Sequence, residues 1–365
     1  MANEAGKSGA RTPVRAAVAA SVAAQIRSAN RGGGEHRHIV VAGRRFGRRQ
    51  RAAHNEAMTL DSLDEFTAQR RRLFAVAYRM LGSAADAEDI VQDAWLRWRG
   101  TDRAQVANPA AFLTKMVTNL CLTALGSARA RREVYVGPWL PEPVLTGGGE
   151  LGPLETAEQR EAVSVAVLTL LERLTPAERA AYVLREAFGY SHREVAEVVG
   201  VSEANARQLY SRAKAGVGSR AAKPVAPEQW AELVAKFLAA AQRGDVAGLE
   251  SVLAREATSW ADGGGFVNAA RNAVRGAERV ARYFVGIATR FASGLRAEIG
   301  EANGEPCVLV LGAGGLHSIL FFEVVGGEIA SIRLALNPEK LAHASAQLVD
   351  RARLSQIEEL SGREG

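Results

Sequence analysis

The sequence predicts a multidomain chain: an all-α half made of two helical modules, the second a helix-turn-helix, followed by an α+β cone. Three observations predict it. Apolar residues recur every three or four positions between Asp61 and Ala215, the period of a helix with one buried face. Strand-like runs gather late, from Leu295 to Leu336. Between the modules stand two stretches, 137–156 and 217–227, where proline, glycine and small residues interrupt every period.

Length and charge narrow the reading further. A chain of 365 residues holds two or three folded units. Lysine and arginine number 46 against 40 acidic residues, a formal charge of +6. Residues 1–57 carry eleven basic and three acidic side chains, a net +8, so the remainder is slightly acidic. Rich in Ala, Arg and Gly and without a period, 1–57 reads as a disordered basic extension or an over-extended translation start, with the folded protein opening at Met58. An arm touching nucleic-acid phosphates is the other reading. A hydrophobic content of 47% excludes a wholly disordered chain, and no run approaches the 18 apolar residues a membrane-spanning helix needs. Cys121 and Cys307 stand far apart with no metal-ligand spacing, so neither a disulfide framework nor a metal site is expected. The expected location is the cytoplasm, with no cofactor and no membrane.

The first module, 58–136, opens with Phe66, Leu73, Phe74, Ala77, Tyr78 and Leu81 at helical spacing, broken at Gly82-Ser83. In the next helix Ala87, Val91, Ala94, Trp95 and Trp98 form a buried stripe. Asp86, Asp89 and Asp93, at i, i+3 and i+7, form an acidic row on another face. A third helix begins at Pro109 after Asn108 as its cap, with Phe112, Leu113, Met116, Leu120 and Leu125 as core. Its polar positions include Lys115 and Asn119, and it runs into Arg129, Arg131 and Arg132, either solubilising charge or phosphate contacts.

The second module, 157–216, carries the strongest local signal. Thr175-Pro-Ala-Glu178 is a capping box with proline in the first turn, and Gly189 ends that helix. Ser191-His-Arg-Glu194 repeats the box and opens a short helix; Gly200-Val-Ser202 is the tight turn before the next. On that last helix Ala206, Leu209, Tyr210 and Ala213 face inward. Asn205, Arg207, Gln208, Ser211, Arg212 and Lys214 remain outside. Arginine pairs with guanine, Asn or Gln with adenine, and Lys or Arg with phosphate, so this inventory suits a helix in a major groove.

Taken together, Ala87-Glu-Asp-Ile-Val-Gln-Asp-Ala-Trp-Leu-Arg-Trp98 and Asn205-Ala-Arg-Gln-Leu-Tyr-Ser-Arg-Ala-Lys214 resemble regions two and four of extracytoplasmic-function RNA polymerase sigma factors. The resemblance implies that Asp86, Asp89, Gln92 and Asp93 meet the clamp helices of core RNA polymerase. It also implies that region four reads a minus-thirty-five element and meets the polymerase flap. The stretch from about Arg103 to Asn119 is implied to melt the minus-ten element of promoter DNA. The linker 137–156 contains Trp139-Leu140-Pro141-Glu142-Pro143. A Trp-Leu pair pinned by prolines reads as a docking peptide rather than a passive tether. It resembles the signature of the sigma-J-like subgroup, which carries a SnoaL-like extension.

The extension, 228–341, predicts helices around Trp230–Leu238, Val246–Leu253 and Glu278–Phe291, then strands Leu295–Ala302, Cys307–Leu311, Leu316–Val325 and Ile329–Leu336 in a curved antiparallel sheet. Residues 342–365 are read as a tail. Asp262-Gly263-Gly264-Gly265 and Asn337-Pro338-Glu339-Lys340-Leu341 resemble the subgroup's two extension motifs, with Phe266 where Lys or Arg is expected. Asp262, Trp260 and His317 are the candidates for a cone-type catalytic site; regulation of the sigma modules, through the linker or an unidentified small ligand or protein, fits better. The alternatives are a ligand-sensing helix-turn-helix regulator and an isomerase- or cyclase-like enzyme with an attached DNA-binding domain.

Overall fold

The computed structural model describes residues 63–146, 151, 160–218 and 225–361. The basic extension, the side chains of Arg129 and Arg131 and most of the second linker lie outside the described residues.

Helix α1 (63–81) buries Phe66, Leu73, Phe74, Tyr78 and Leu81, the stripe its spacing predicts. It stops at Gly82, whose φ of 66° suits glycine. Helix α2 (Ala84–Arg99) starts on Ser83, whose hydroxyl accepts from the Asp86 N–H. Helix α3 (Pro109–Glu133) starts on Asn108, which accepts from the Ala111 N–H. Leu113, Val117 and Leu120 are buried, but Phe112 is 36% exposed and rests its ring 5.9 Å from Trp98. It is a lid on the core edge.

The second module holds α4 (Val165–Leu171), α5 (Pro176–Phe188), α6 (His192–Val199) and α7 (Glu203–Val217). Both capping boxes form, and Gly189 and Gly200 take the left-handed conformation that ends each helix. Ala181, Leu184, Val195 and Ala206 make the small private core of the helix-turn-helix. A larger core is shared: Trp98, Leu113 and Val117 of the first module pack in one cluster with Leu168, Leu171, Val183 and Ala213 of the second.

The C-terminal domain opens with α8 (Pro227–Arg243) and α9 (Val246–Glu250), then β1 (Leu253–Asp262) and β2 (Val274–Arg275). Helix α10 (Ala277–Phe291) and strands β3 (Arg296–Ala302), β4 (Glu305–Gly312), β5 (Gly315–Val325) and β6 (Glu328–Ala335) follow, and α11 (Pro338–Ser361) closes the domain. The sheet order is β2-β1-β6-β5-β4-β3. Three expectations need correction. The sheet is mixed, because β1 runs parallel to β6. Strand β1 is unexpected: the helix placed at Val246–Leu253 ends at Glu250, and Leu253–Asp262 pairs along β6. The last helix also continues through the boundary expected at 341.

Each face of the sheet has its own core. Trp230, Phe237, Val280 and Phe284 of the helices pack on Val308, Leu320, Phe322 and Ile332. On the other face Cys307, Leu309, Ile319 and Phe321 bury Leu145 of the linker, Val165 of α4 and Leu341 and Ala344 of α11. The linker is therefore part of the C-terminal domain's core, which positions everything that follows.

Candidate functional site

Strands β1 and β6 end side by side, and the backbone carbonyl of Asp262 accepts from the N–H groups of Leu336 and Asn337, 2.8 Å each. That junction starts α11 and sets Asn337 and Lys340 beside the Asp262 carboxylate. The buried Lys340 ammonium lies 2.7 Å from Asp262 Oδ2. Both then seize one residue of the linker. Leu140 donates its N–H to Asp262 Oδ2 at 2.7 Å, and its carbonyl accepts from Lys340 Nζ at 2.6 Å. Tyr135 donates its hydroxyl to Asp262 Oδ1 and accepts from Asn337 Nδ2 at 2.9 Å. Burial, opposed by the Asp262 charge, lowers the Lys340 pKa to about 8.

The glycine triplet serves this clasp by absence of side chains. A Cβ on Gly264, at φ 60°, would stand 2.3 Å from Asn337 Nδ2 and 2.9 Å from the Tyr135 hydroxyl. Any larger residue would displace the Asn337 amide or the Tyr135 hydroxyl. Gly265 turns at φ 82° beside Val136, and Gly263 packs on Val267 and Ala269. Phe266, in the place of the expected cation, is 59% exposed and makes no part of the clasp.

Trp139 is held between two cations, Arg132 of α3 at 4.0 Å and Lys340 at 4.2 Å from its ring centre. Its edge lies against Gly82, where a Cβ would come within 2.9 Å. Arg132 also pairs with Glu172 and donates to the Leu81 carbonyl, so this arginine, expected to meet DNA phosphates, is turned onto the linker. Glu142 accepts from the Ala84 and Ala85 N–H groups at 2.7 and 3.1 Å, putting a carboxylate at the positive end of α2. Pro141 and Pro143 are buried on either side. Asp262, Gly264, Asn337 and Lys340 thus converge with Trp139, Leu140 and Glu142, while Pro338 begins α11.

Sequence reasoning missed Asn303. It is fully buried at φ 54°, the sole non-glycine residue of positive φ among the described residues. Its amide donates to the Tyr78 hydroxyl at 2.6 Å and the Val163 carbonyl at 3.0 Å, and its Oδ1 accepts from the Val144 N–H at 3.1 Å. One side chain therefore ties both helical modules and the linker to the sheet. Asn303-Gly304 reads only as a hairpin turn. Gln347, assigned to a tail, pairs both backbone groups of Leu145 at 2.8 and 3.0 Å.

The outward faces stand clear of the clasp. Asn205, Arg207, Gln208, Ser211, Arg212 and Lys214 are exposed along α7, with Arg207 paired to Glu203. Lys115 and Asn119 are exposed on α3. Asp89, Gln92 and Asp93 are exposed on α2 and Asp86 is half-buried. Leu96, 54% exposed one turn further on, adds an apolar side chain to this face. Asp262 and His317 do not meet: Asp262 grips the linker, whereas His317 borders a cavity that Asp262 does not line. Among the described residues no helix is long and apolar enough to cross a membrane.

Comparison with known proteins matches both helical modules. Residues 66–131 match the sigma-70 region 2 family and residues 164–215 the sigma-70 region 4 family. The ECF RNA polymerase sigma factor SigJ of Mycobacterium tuberculosis is 39% identical over 289 residues, which span 76% of this chain and 92% of SigJ. The probable ECF sigma factor SigI of the same species is 30% identical over 77% of this chain and 95% of its own. The crystal structure of M. tuberculosis SigJ superposes with a TM-score of 0.61 at 36% identity, covering 77% of this chain and 98% of that one. With both helical modules matched in order and a full-length relative at this identity, the chain belongs to the ECF RNA polymerase sigma factors.

Proposed function

We propose that the arrangement described above is the closed, polymerase-free form of a sigma factor that its own C-terminal domain holds shut. Region two, through Asp86, Asp89, Gln92, Asp93 and Leu96, docks on the clamp helices; Lys115 and Asn119 lie on the face that opens the minus-ten element. Helix α7 reads the minus-thirty-five element through Asn205, Arg207, Gln208, Ser211 and Arg212, with Lys214 on phosphate and region four at the polymerase flap. These elements lie about 25 base pairs apart, on the order of 80 Å at ~3.4 Å per pair. Yet Arg179 of region four donates to the Met80 carbonyl of region two at 2.8 Å, and the two regions share one core. A protein in this state cannot reach both elements.

The observation that carries the reading is the grip of Asp262 and Lys340 on Leu140. It fastens the one segment that must move for the regions to part. The domain is read as regulatory rather than catalytic because Asp262 already holds Leu140, Tyr135 and Lys340 and lies off the cavity His317 borders.

The test is a distance measurement. Cys121 and Cys307 are buried, so Thr67→Cys on α1 and Glu197→Cys on α6, both exposed and outside the faces assigned to polymerase and DNA, take a fluorophore pair. Adding core polymerase should lengthen the 67–197 distance, and Lys340→Ala should let this happen at lower polymerase concentration. A distance unchanged by bound polymerase would overturn the closed-form reading.

A further inference from the structure

The C-terminal domain contains a feature the clasp does not use. Between α8, α10 and the sheet lies a cavity of about 660 Å³. Protein interiors rarely leave voids much larger than a water molecule, and this volume falls in the range of small-molecule sites, roughly 300–1,000 Å³. Its wall is mainly apolar, with Phe237, Tyr283, Phe284, Ile287 and Leu320 prominent. Gln242, Asn268, Ser318 and Ser345 add neutral hydrogen-bonding groups. Among the described residues no carboxylate and one guanidinium line it: Arg296 lies 3.2 Å from Glu298, and His317 adds an imidazole. The chemistry therefore favours a neutral guest over an ionic one. Phe291, 51% exposed, marks the mouth.

Helix α11 is the partition between this cavity and the clasp. Pro338, Leu341 and Ser345, at i, i+3 and i+7, line the cavity. From the same helix Lys340 and Gln347 hold the linker, and His343 stacks on Phe74 of α1 at 5.8 Å. Both sets sit on one continuous helix, so the cavity wall and the clasp are joined through it.

We propose that this cavity binds a neutral, largely apolar small molecule with one hydrogen-bonding end, and that its occupancy, transmitted through α11, sets how firmly the linker is held. The site stands on the cavity alone; the transmission rests on the closed-form reading above. A ligand shifts such an equilibrium only by its differential affinity for the closed and open forms.

The experiment uses the full-length protein and a neutral arylamine probe, N-phenyl-1-naphthylamine. Saturable binding of one probe per chain is expected, weakened about tenfold by Ala288→Trp on α10 or Leu316→Trp on β5, both of which fill the cavity. Thermal unfolding checks that each variant folds. An arylazide analogue cross-linked to the wild-type protein gives a second measurement, and its label is expected on α10 and β4–β6. Absence of saturable binding, equal binding in a folded filled variant, or label elsewhere would overturn the site. A large gain in affinity on deleting residues 354–365 would assign the cavity to the chain's own C-terminus and overturn the small-molecule assignment. For the transmission, amide exchange at Leu140 and Leu145 should change in the wild type with probe and stay fixed in the filled variants; binding without that change would overturn it. The 67–197 distance uses no probe, so failure of the closed-form reading is seen separately.

Discussion

Lys340 carries a charge where water does not reach it, and it is held there by Asp262, the Leu140 carbonyl and the Trp139 ring. Removing one partner of a buried ion pair costs about 3–5 kcal/mol because the other charge stays behind. Asp262→Asn is therefore expected to loosen the linker strongly, read as faster amide exchange at Leu140. The pH dependence has a definite sign. A lysine whose folded pKa is lowered from 10.5 to about 8 binds fewer protons folded than unfolded between those values, so its contribution to stability rises with pH across that window. The melting temperature of the wild type should gain on that of Lys340→Met between about pH 8 and 10.5; a constant difference would mean that Lys340 does not titrate in the clasp. Asn303 acts on more partners at once. Asn303→Ala removes three hydrogen bonds that span region two, region four and the linker, and should destabilise the closed form by several kcal/mol, at about 1–3 kcal/mol for each buried polar group left unpaired.

At the scale of elements, the exposed faces of α2 and α7 separate function from folding. Asp89 and Asp93 are exposed, and no described partner holds either in an ion pair within the clasp. Asp89→Lys with Asp93→Lys should change stability by no more than about 0.5 kcal/mol per site while weakening polymerase binding, measured by co-sedimentation with the core enzyme. On α7, Gln208→Ala and Arg212→Ala should leave the helix intact, because its packing rests on Ala206 and Ala213. Each should lower affinity for the minus-thirty-five element by about 1–3 kcal/mol in a fluorescence-anisotropy titration, if it makes a paired base contact. The element that links the two ends is α11. Its cavity side and its linker side lie on the same 24-residue helix.

The whole molecule is organised around a segment that has no regular structure. Residues 139–146 touch α1, α2, α3, β1, β3 and α11. On the closed-form proposal, opening the linker would expose the face of the sheet that buries Leu145 and Val165. A partner that binds only such an open form would draw the equilibrium over by mass action. Small-angle scattering should register a larger radius of gyration for the Asp262→Asn, Asn303→Ala double variant than for the wild type. Equal radii would place the restraint outside the clasp.

What was legible in the sequence was whatever depends on neighbours along the chain. Capping boxes at Thr175 and Ser191, the turn at Gly200 and the apolar stripes of α1 and α2 are local, so the helical modules and the outward faces of α2 and α7 could be read directly. Trp139-Leu140-Pro141 announced a docking peptide because such a segment is poorly suited to water. Residues whose role comes from partners more than a hundred positions away carried no such signal. Asn303 resembles a turn residue, Gln347 a tail residue, and Ala254–Thr258 carries no strand signal, until the sheet places them beside Val144, Leu145 and β6. Arg132 resembles a phosphate contact until Trp139 and Glu172 are found beside it. The sequence by itself determined which modules this protein has and which of their faces are left outward. Only the tertiary structure decided that those modules share a core, and that Asp262 and Lys340 hold them together by the backbone of Leu140. The physical reason is that a backbone N–H and carbonyl are common to every residue, so the place where a clasp grips them leaves no mark in the sequence.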